Sequence, residues 1–281
     1  MTNEGATAAP GGTNAKWGTA ITYTAPGVIA PRGYPIEGLM GCVTFTDVIH
    51  LMYRGELPDE STRALLDAIL VASVDHSTTS PSAMTARTVA SSGAPVQLAA
   101  TAGLLAINDS HGGALGPCME VLQDVVARHA SGSDMSEAAR DVAKEWRQRG
   151  DRIPGFGHRV HSKDPRTSRL FQIAESLGFH TVYDDAAIAV EAALTELSDK
   201  GIPMNLDGAI AAVLCGLEFP VDLANPLFMI SRFVGITMQA HEEHSRYRPM
   251  RKIYADRFEY DGEPLREVPA TNNKRTDAHA E

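Results

Sequence analysis

The sequence predicts a mainly α-helical protein made of packed helical layers, with a short β element near the N-terminus. Apolar residues recur at helical spacing through most of the chain. Several of these runs are rich in Ala, Gly and Ser, which lets helix backbones approach closely and favours packed layers. One early segment, "TAITYTAPGVIAPRGYPI", instead mixes β-forming residues with Pro and Gly, as short strands and turns do.

The first predicted helix lies in "FTDVIHLMYRGELP", where Gly55 and Pro58 end the apolar pattern. The next, "STRALLDAILVAS", has Ser61 as its predicted N-cap. The later helical runs are "APVQLAATAGLLAI", "CMEVLQDVVARHA", "SEAARDVAKEWRQ", "SRLFQIAESLG", "AAIAVEAALTEL", "DGAIAAVLCGL" and "PLFMISRFVGITMQAHEEH". No fixed-period repeat connects them, so a solenoid is disfavoured.

Composition predicts a folded region over residues 17 to 263, between disordered tails at 1 to 16 and 264 to 281. The net charge of -10, without a dense Lys/Arg run, argues against binding to nucleic acid or a membrane surface. No export signal is recognised, and no apolar window reaches the roughly 18 residues of a membrane span. We therefore expect a cytoplasmic protein.

Two polar clusters interrupt the apolar helices in the first half of the chain. Asp75 and His76 precede a Ser/Thr-rich turn in "VDHSTTSPSAMTAR", which by itself favours a helix end with capping residues. His111 precedes Gly112 and Gly113 at an apparent helix start, where glycines allow a ligand to approach the backbone. From local sequence alone, a His before two glycines is more often an ordinary turn residue.

A third cluster is "RIPGFGHRVHSKDPR", in which Pro154, Gly155 and Gly157 predict a tight loop that presents His158. Arg166 follows in the first turn of the next helix, where the helix dipole disfavours a cation. An anionic ligand would remove that conflict, whereas the alternative is a solvated basic loop.

The fourth cluster is Asp207, between Asn205 and Gly208 at the head of an apolar helix. Asp207 could be the N-cap of that helix. Its carboxyl group could instead face an apolar interior, which would raise its pKa and suit a general base near neutral pH. The local sequence leaves both interpretations open.

The order of these motifs resembles the citrate synthase superfamily over about residues 17 to 254. The matching segments are "RGYPIEGLMGCVTFTDVIHLMYRGELP", "DH" at 75, "HGGA" at 111, "PGFGHRV" with "DPR" at 154 to 166, "NLDG" at 205, "SR" at 231 and "RP" at 248. Only residues 59 to 74 separate "GELP" from "DH", where citrate synthases have a long helical segment. This short form looks more like citryl-CoA lyase and the C-terminal module of ATP-citrate lyase.

The resemblance implies a citrate-synthase-like layered helical fold, with a reduced large domain and a small subdomain over roughly 116 to 220. Three catalytic residues are implied: Asp207 exchanges a proton with the methyl carbon of the acetyl thioester, His111 stabilises the enolate oxygen, and His158 exchanges a proton with the oxygen of the oxaloacetate part. The implied substrate-binding residues are His76, Arg166, Arg232 and Arg248, the last supplied across a dimer interface. The implied coenzyme A contacts are Pro154, Gly155, Phe156 and Gly157.

The resemblance further implies no permanently bound cofactor and no metal, with a coenzyme A thioester as substrate or product. The partners implied are citryl-CoA, or acetyl-CoA with oxaloacetate, and a second copy of the chain in a homodimer or larger homo-oligomer. Citryl-CoA cleavage is the favoured activity, and citrate synthesis or a related acyl-CoA/2-oxo acid condensation is the alternative.

Two rivals are a catalytically silent coenzyme A-binding protein and a metal-dependent hydrolase. The hydrolase would use His241 and His244, whose spacing is one residue short of HExxH.

Overall fold

The computed structural model describes residues 18–157, 164–198, 201–251 and 259–267. These residues confirm the predicted mainly α-helical fold with a short β element near the N-terminus. The strands are β1 (Thr22–Ala25) and β2 (Val28–Pro31). The helices of the described residues are α1 (Ile36–Leu39), α2 (Phe45–Arg54), α3 (Glu60–Ser73), α4 (Pro81–Ser91), α5 (Val96–Leu105), α6 (Leu115–Ala130), α7 (Met135–Arg149), α8 (Pro165–Ser176), α9 (Val182–Glu196), α10 (Leu206–Gly216) and α11 (Val221–Arg246).

The β element is an antiparallel hairpin in which Ala25 pairs with Val28 across a two-residue turn. Gly27 lies in this turn at φ 75°, a left-handed conformation that glycine adopts without steric cost. The Arg32 guanidinium then donates to the Met52 carbonyl, with its Nη2 atom at 2.7 Å. This contact ties the chain after the hairpin to the end of α2.

Helix α2 ends as predicted at Gly55, which adopts a left-handed conformation at φ 89°. The predicted cap of the following helix is wrong. Helix α3 begins at Glu60, and its N-cap is Asp59, whose carboxylate accepts from the Thr62 backbone N–H at 2.7 Å. Asp59 lies before Ser61 in the chain, and it already accepts from a backbone N–H group at the start of the helix that an N-cap residue satisfies.

Helix α4 is an element that the periodicity did not predict. Ser80 is its N-cap and Pro81 occupies its first turn, so the Ser/Thr-rich turn after His76 leads into a further helix. Most residues of α4 are small or polar, which weakens the apolar period. The helix nevertheless buries Ala83, Ala86 and Ala90, and it packs against α5 and α11.

Helices α4, α5 and α11 pack on one another, and α3 joins them along α11. Helices α6, α7, α9 and α10 pack together, and α8 lies against α10 and α3. One continuous apolar cluster runs through both groups. The separate small subdomain over 116 to 220 stays a prediction.

Candidate active site

A cavity of about 400 Å³ lies where α4, α8, α10 and α11 approach the turn that precedes α6. Residues far apart in the sequence line it, and six of them were predicted as site residues: His76, His111, Gly157, Arg166, Asp207 and Arg232. From the predicted residues, the fold thus brings one carboxylate, two imidazoles and two guanidinium groups to a single cavity.

Asp207 lies in the first turn of α10, but it is not the cap of that helix. The N-cap is Asn205, whose Oδ1 atom accepts from the backbone N–H groups of Asp207 at 2.9 Å and Gly208 at 3.3 Å. The capping interpretation of Asp207 is therefore wrong, and its carboxylate is not used to satisfy the end of the helix.

Burial raises the pKa of the Asp207 carboxyl group above its ordinary value. The positive charges of Arg232 and Arg166 oppose this shift without cancelling it. Among residues 206 to 215, Asp207 is the one position that is only partly buried, because it opens onto the cavity. The environment of Asp207 therefore favours the protonated carboxyl group more than water does. This suits a group that exchanges protons.

His111 is held by Ser82, a residue that the sequence did not single out. The Nε2 atom of His111 lies 2.9 Å from the Ser82 hydroxyl oxygen and accepts from the Ser82 backbone N–H at 3.3 Å. Because a backbone N–H can only donate, Nε2 is an acceptor, and the proton of the neutral imidazole lies on Nδ1. No periodic pattern links these two residues, since they are 29 positions apart.

The glycines after His111 are required by the packing of the turn. A Cβ atom on Gly112 would lie 2.9 Å from Ile107 and 3.0 Å from Phe228, and one on Gly113 would lie 2.8 Å from the Asn108 carbonyl oxygen. Backbone hydrogen bonds between Asn108 and His111, at 2.7 and 2.9 Å, close this turn. The glycines therefore fix where His111 lies.

Arg232 is 5% exposed, and its Nε atom donates to the Ser73 carbonyl at 2.7 Å. The guanidinium carbon lies 4.6 Å from the centroid of the Phe228 ring, in cation–π contact. Burial lowers the pKa of Arg232, while the negative charges of Asp75 and Asp207 oppose that shift. The result is a fixed, poorly hydrated cation beside the cavity, which suits carboxylate binding.

Arg166 is paired within its own helical turn. Asp164 is the N-cap of α8, and its carboxylate accepts from the Arg166 Nε atom at 3.1 Å and the Nη2 atom at 2.8 Å. The negative charge of Asp164 thus offsets the predicted unfavourable interaction between Arg166 and the helix dipole. An anionic ligand is not needed to explain the position of Arg166. The guanidinium still lines the cavity.

A larger cavity, of about 890 Å³, adjoins the loop at 154–157. Gly157 lines both cavities, and Phe156 lines the larger one. Gly155 instead serves packing, since a Cβ atom there would lie 2.5 Å from the Cys118 sulfur. Pro154 is not among the described residues that line either cavity.

Two of the predicted catalytic and substrate-binding residues, His158 and Arg248, are not among the described residues that line the cavity. His158 lies outside the described residues. Arg248 lies beyond the end of α11, where it is exposed and does not line the cavity of its own subunit. His76 lines the cavity from an exposed position on the loop between α3 and α4.

One of the alternative classes, the metal-dependent hydrolase, predicts a group of metal-binding side chains. Across 18–157, 164–198, 201–251 and 259–267, no three His, Cys, Asp or Glu side chains are grouped closely enough to hold a metal ion. The Nε2 atom of His244 is instead 3.0 Å from the Ala90 carbonyl oxygen.

In the same ranges, none of the helices has both the length and the apolar character that a membrane span needs.

Solved structures share this layered helical fold. Citryl-CoA lyase from Hydrogenobacter thermophilus matches with a TM-score of 0.82 and 35% identity, over 90% of this chain and 97% of that chain. ATP citrate lyase from Methanosaeta concilii, in complex with (3S)-citryl-CoA, matches with a TM-score of 0.77 over 88% of this chain and 42% of that chain. At 20% identity, the second likeness concerns the fold alone.

The sequence comparisons then give the family. The family model for the citrate synthase C-terminal domain matches residues 58–253. Citrate synthase from Haloferax volcanii is 30% identical over 224 residues, which are 77% of this chain and 56% of that protein. The chain therefore belongs to the citrate synthase family of enzymes. It spans little more than half the length of the curated synthases that it matches.

Proposed function

We propose that this protein is a citryl-CoA lyase, which cleaves citryl-CoA to acetyl-CoA and oxaloacetate through the enolate of acetyl-CoA. The observation that carries the proposal is the convergence of Asp207, His111, Arg166 and Arg232 on one cavity. These groups are a proton donor, an oxyanion partner and two carboxylate ligands, as the reaction requires.

Cleavage breaks the bond between the α carbon of the thioester and the carbon that carries the hydroxyl group. His158 takes the hydroxyl proton, the oxygen forms the ketone of oxaloacetate, and the bonding pair moves into the thioester enolate. The Nδ1–H group of His111 donates to the enolate oxygen, where negative charge develops. Asp207 then gives its proton to the carbon. The raised pKa of Asp207 supports this role, because cleavage starts from the protonated acid.

The carboxylates of the citryl group need fixed cationic partners. Arg166 and Arg232 offer planar guanidinium groups whose remaining N–H groups can bind substrate carboxylates. His76 contributes from the edge of the same cavity, and Arg248 of the partner subunit completes the set. This last contact requires a homodimer, which we propose as the minimal assembly.

Coenzyme A enters as part of the substrate and leaves as part of the product, so no permanent cofactor is proposed. The loop at 154–157 is its proposed binding segment, with Phe156 and Gly157 in contact and Pro154 and Gly155 holding the loop in shape. The volume of the larger cavity beside this loop supports the assignment.

Cleavage is favoured over condensation by the degree of likeness to the solved structures. The Hydrogenobacter thermophilus lyase matches this chain with a TM-score of 0.82 and 35% identity, whereas citrate synthase from Thermotoga maritima, which matches over a similar share of both chains, has a TM-score of 0.58. Citrate synthesis, or a related acyl-CoA/2-oxo acid condensation, is the alternative, because the curated relatives are named citrate synthases and the same residues serve both directions.

Two parallel assays test the proposal: citryl-CoA alone, and acetyl-CoA with oxaloacetate. We expect oxaloacetate release in the first to be faster than coenzyme A release in the second. Asp207→Asn should lower turnover by roughly 10² to 10⁴, the usual contribution of a general acid or base. Asp261→Asn, at an exposed position outside the site, is the matched control.

Three outcomes would contradict the proposal. Faster condensation would favour the synthase alternative. Thermal stabilisation by coenzyme A without turnover in either assay would favour the catalytically silent binding protein. Near-normal turnover in Asp207→Asn would remove Asp207 from its role.

A further inference from the structure

Charged side chains form a cluster at the C-terminal end of α11. None of them is among the residues that line the cavity with Asp207. The buried pair of this cluster is Arg87 of α4 and Glu243 of α11, which are 3% and 1% exposed. The Arg87 Nε atom lies 3.0 Å from the Glu243 Oε2 atom. Arg87 also donates through Nη1 to Glu242 at 2.8 Å. Opposite charges thus meet where water is largely excluded.

Arg251 joins this cluster from the segment that follows α11. Its Nε atom donates to Glu243 Oε1 at 2.9 Å, and its Nη2 atom pairs with Oε2 of the same carboxylate. The guanidinium carbons of Arg87 and Arg251 lie 5.4 and 5.3 Å from the centroid of the Tyr247 ring. One buried carboxylate therefore holds a helix of the core and the chain beyond α11 together.

The segment 247–251 is also fixed through its backbone. The Met250 N–H donates to the Ser91 carbonyl at 2.6 Å, and the Tyr247 N–H donates to the Glu243 carbonyl at 3.2 Å. Met250 has a φ of 56°, a conformation that costs a non-glycine residue free energy and persists only when its surroundings impose it. Arg248 lies between these fixed points and is itself exposed.

A buried ion pair is a poor device for stability alone, because desolvation offsets much of the attraction. It can instead select one conformation, since a segment that moved away would leave Glu243 without the Arg251 partner. The chain carries this arrangement at the base of the segment that presents Arg248, which is consistent with a positioning role.

We propose that Glu243, with Arg87 and Arg251, is a positioning residue that sets the direction in which Arg248 projects toward the partner subunit's cavity. This inference rests on the proposed function, in which Arg248 binds a substrate carboxylate. Glu243 touches no substrate and acts only through the segment 247–251.

A double-mutant cycle tests the proposal in the full-length protein. We expect Glu243→Gln to raise KM for the carboxylate substrate about tenfold, equivalent to about 1.4 kcal/mol, and to change kcat by less than about twofold. In an Arg248→Ala background, Glu243→Gln should change KM no further, because its target is gone. Glu243→Gln should also increase the rate of hydrogen exchange at the Met250 backbone amide.

Two further variants control for unfolding and for charge loss. Arg251→Gln removes the half-exposed partner of Glu243 and leaves the pair between Arg87 and Glu243 in place. It should also raise KM, so it tests the proposal if Glu243→Gln fails to fold. Glu145→Gln removes a partly exposed ion pair with Arg128 on α6 and α7, and it should leave KM unchanged.

The outcomes separate this inference from the proposed function. If Arg248→Ala raises KM while folded Glu243→Gln and Arg251→Gln do not, the positioning role is overturned and the substrate role of Arg248 stands. Equal effects of Glu243→Gln with and without Arg248 also overturn it. If Arg248→Ala leaves KM unchanged but Glu243→Gln frees the Met250 amide, the attachment of the segment stands and the substrate role of Arg248 fails.

Discussion

At the scale of the residue, Asp207 combines two opposing environments. Its neighbours in α10 are buried, and this burial raises the pKa of its carboxyl group. Arg232 and Arg166 pull the pKa back toward the charged form. The net shift means that the folded protein binds a proton at Asp207 more tightly than the unfolded chain does, which ties proton exchange to stability.

We expect Asp207→Asn to raise Tm at neutral pH. An unfolded Asp has a pKa of about 3.9, and the folded value is higher. As pH rises through the pKa of the folded protein, Asp207 must lose its proton in a buried position, which lowers the free energy of unfolding of the wild type. The Asn variant does not titrate and keeps that free energy. Well below the ordinary pKa, both states are protonated and the difference disappears.

Thermal unfolding of the two proteins between neutral and acidic pH measures this effect. Asp261→Asn, at an exposed site, should change Tm little across the same range. A variant Tm at or below that of the wild type at neutral pH would show that the charged carboxylate stabilises the fold.

At the scale of the element, the start of α10 organises the cavity. Asn205 caps the helix, and its Nδ2 atom donates to the Gly157 carbonyl at 2.9 Å while its backbone N–H donates to Gly155 at 3.0 Å. Gly208 allows this approach, because a Cβ atom there would lie 2.5 Å from the Gly155 carbonyl oxygen. One side chain therefore joins the helix that carries Asp207 to the loop at 154–157.

Asn205→Ala should lower both the free energy of unfolding, by about 1 kcal/mol as for other N-caps, and kcat. Thr181→Ala is a matched control, since Thr181 is the N-cap of α9 and contacts neither cavity. We expect Thr181→Ala to lose comparable stability and to keep its kcat. Chemical denaturation and steady-state kinetics provide the two measurements, and a parallel loss of kcat in both variants would assign the effect to stability alone.

At the scale of the whole molecule, helices α4, α5 and α11 carry several large apolar side chains that are exposed. They include Met84, Leu98, Leu105, Val234 and Met238. Apolar side chains on one face of a helical layer are typical of an interface between subunits. Tyr247 and Met250 are exposed beyond α11, in the segment that carries Arg248. This surface supports the proposed homodimer.

Mixing two impaired variants tests the shared site. Asp207→Asn and Arg248→Ala subunits should each show poor activity at low substrate concentration. A hybrid dimer would contain one site with both native residues, so a random equal mixture should recover about a quarter of wild-type activity if the interface is two-fold symmetric. Activity equal to the mean of the two unmixed variants would place Arg248 in its own subunit's site or outside any site.

The amino-acid sequence was sufficient to predict the helical character of the chain and the positions of most helices, because the spacing of apolar residues and the Gly and Pro breaks are local signals. It predicted the short β element and the end of α2 at Gly55 for the same reason. Its ordered motifs also resembled the family whose model matches residues 58–253.

Tertiary structure decided what local patterns leave open. Whether Asn205 or Asp207 caps α10, and whether Ser82 holds His111, depends on which groups the packing brings within hydrogen-bond distance. Helix α4 was missed because its small residues are buried by α5 and α11, a contact with no local period. The raised pKa of Asp207 likewise depends on burial by the folded chain, which outweighs the opposing charges of the distant Arg232 and Arg166.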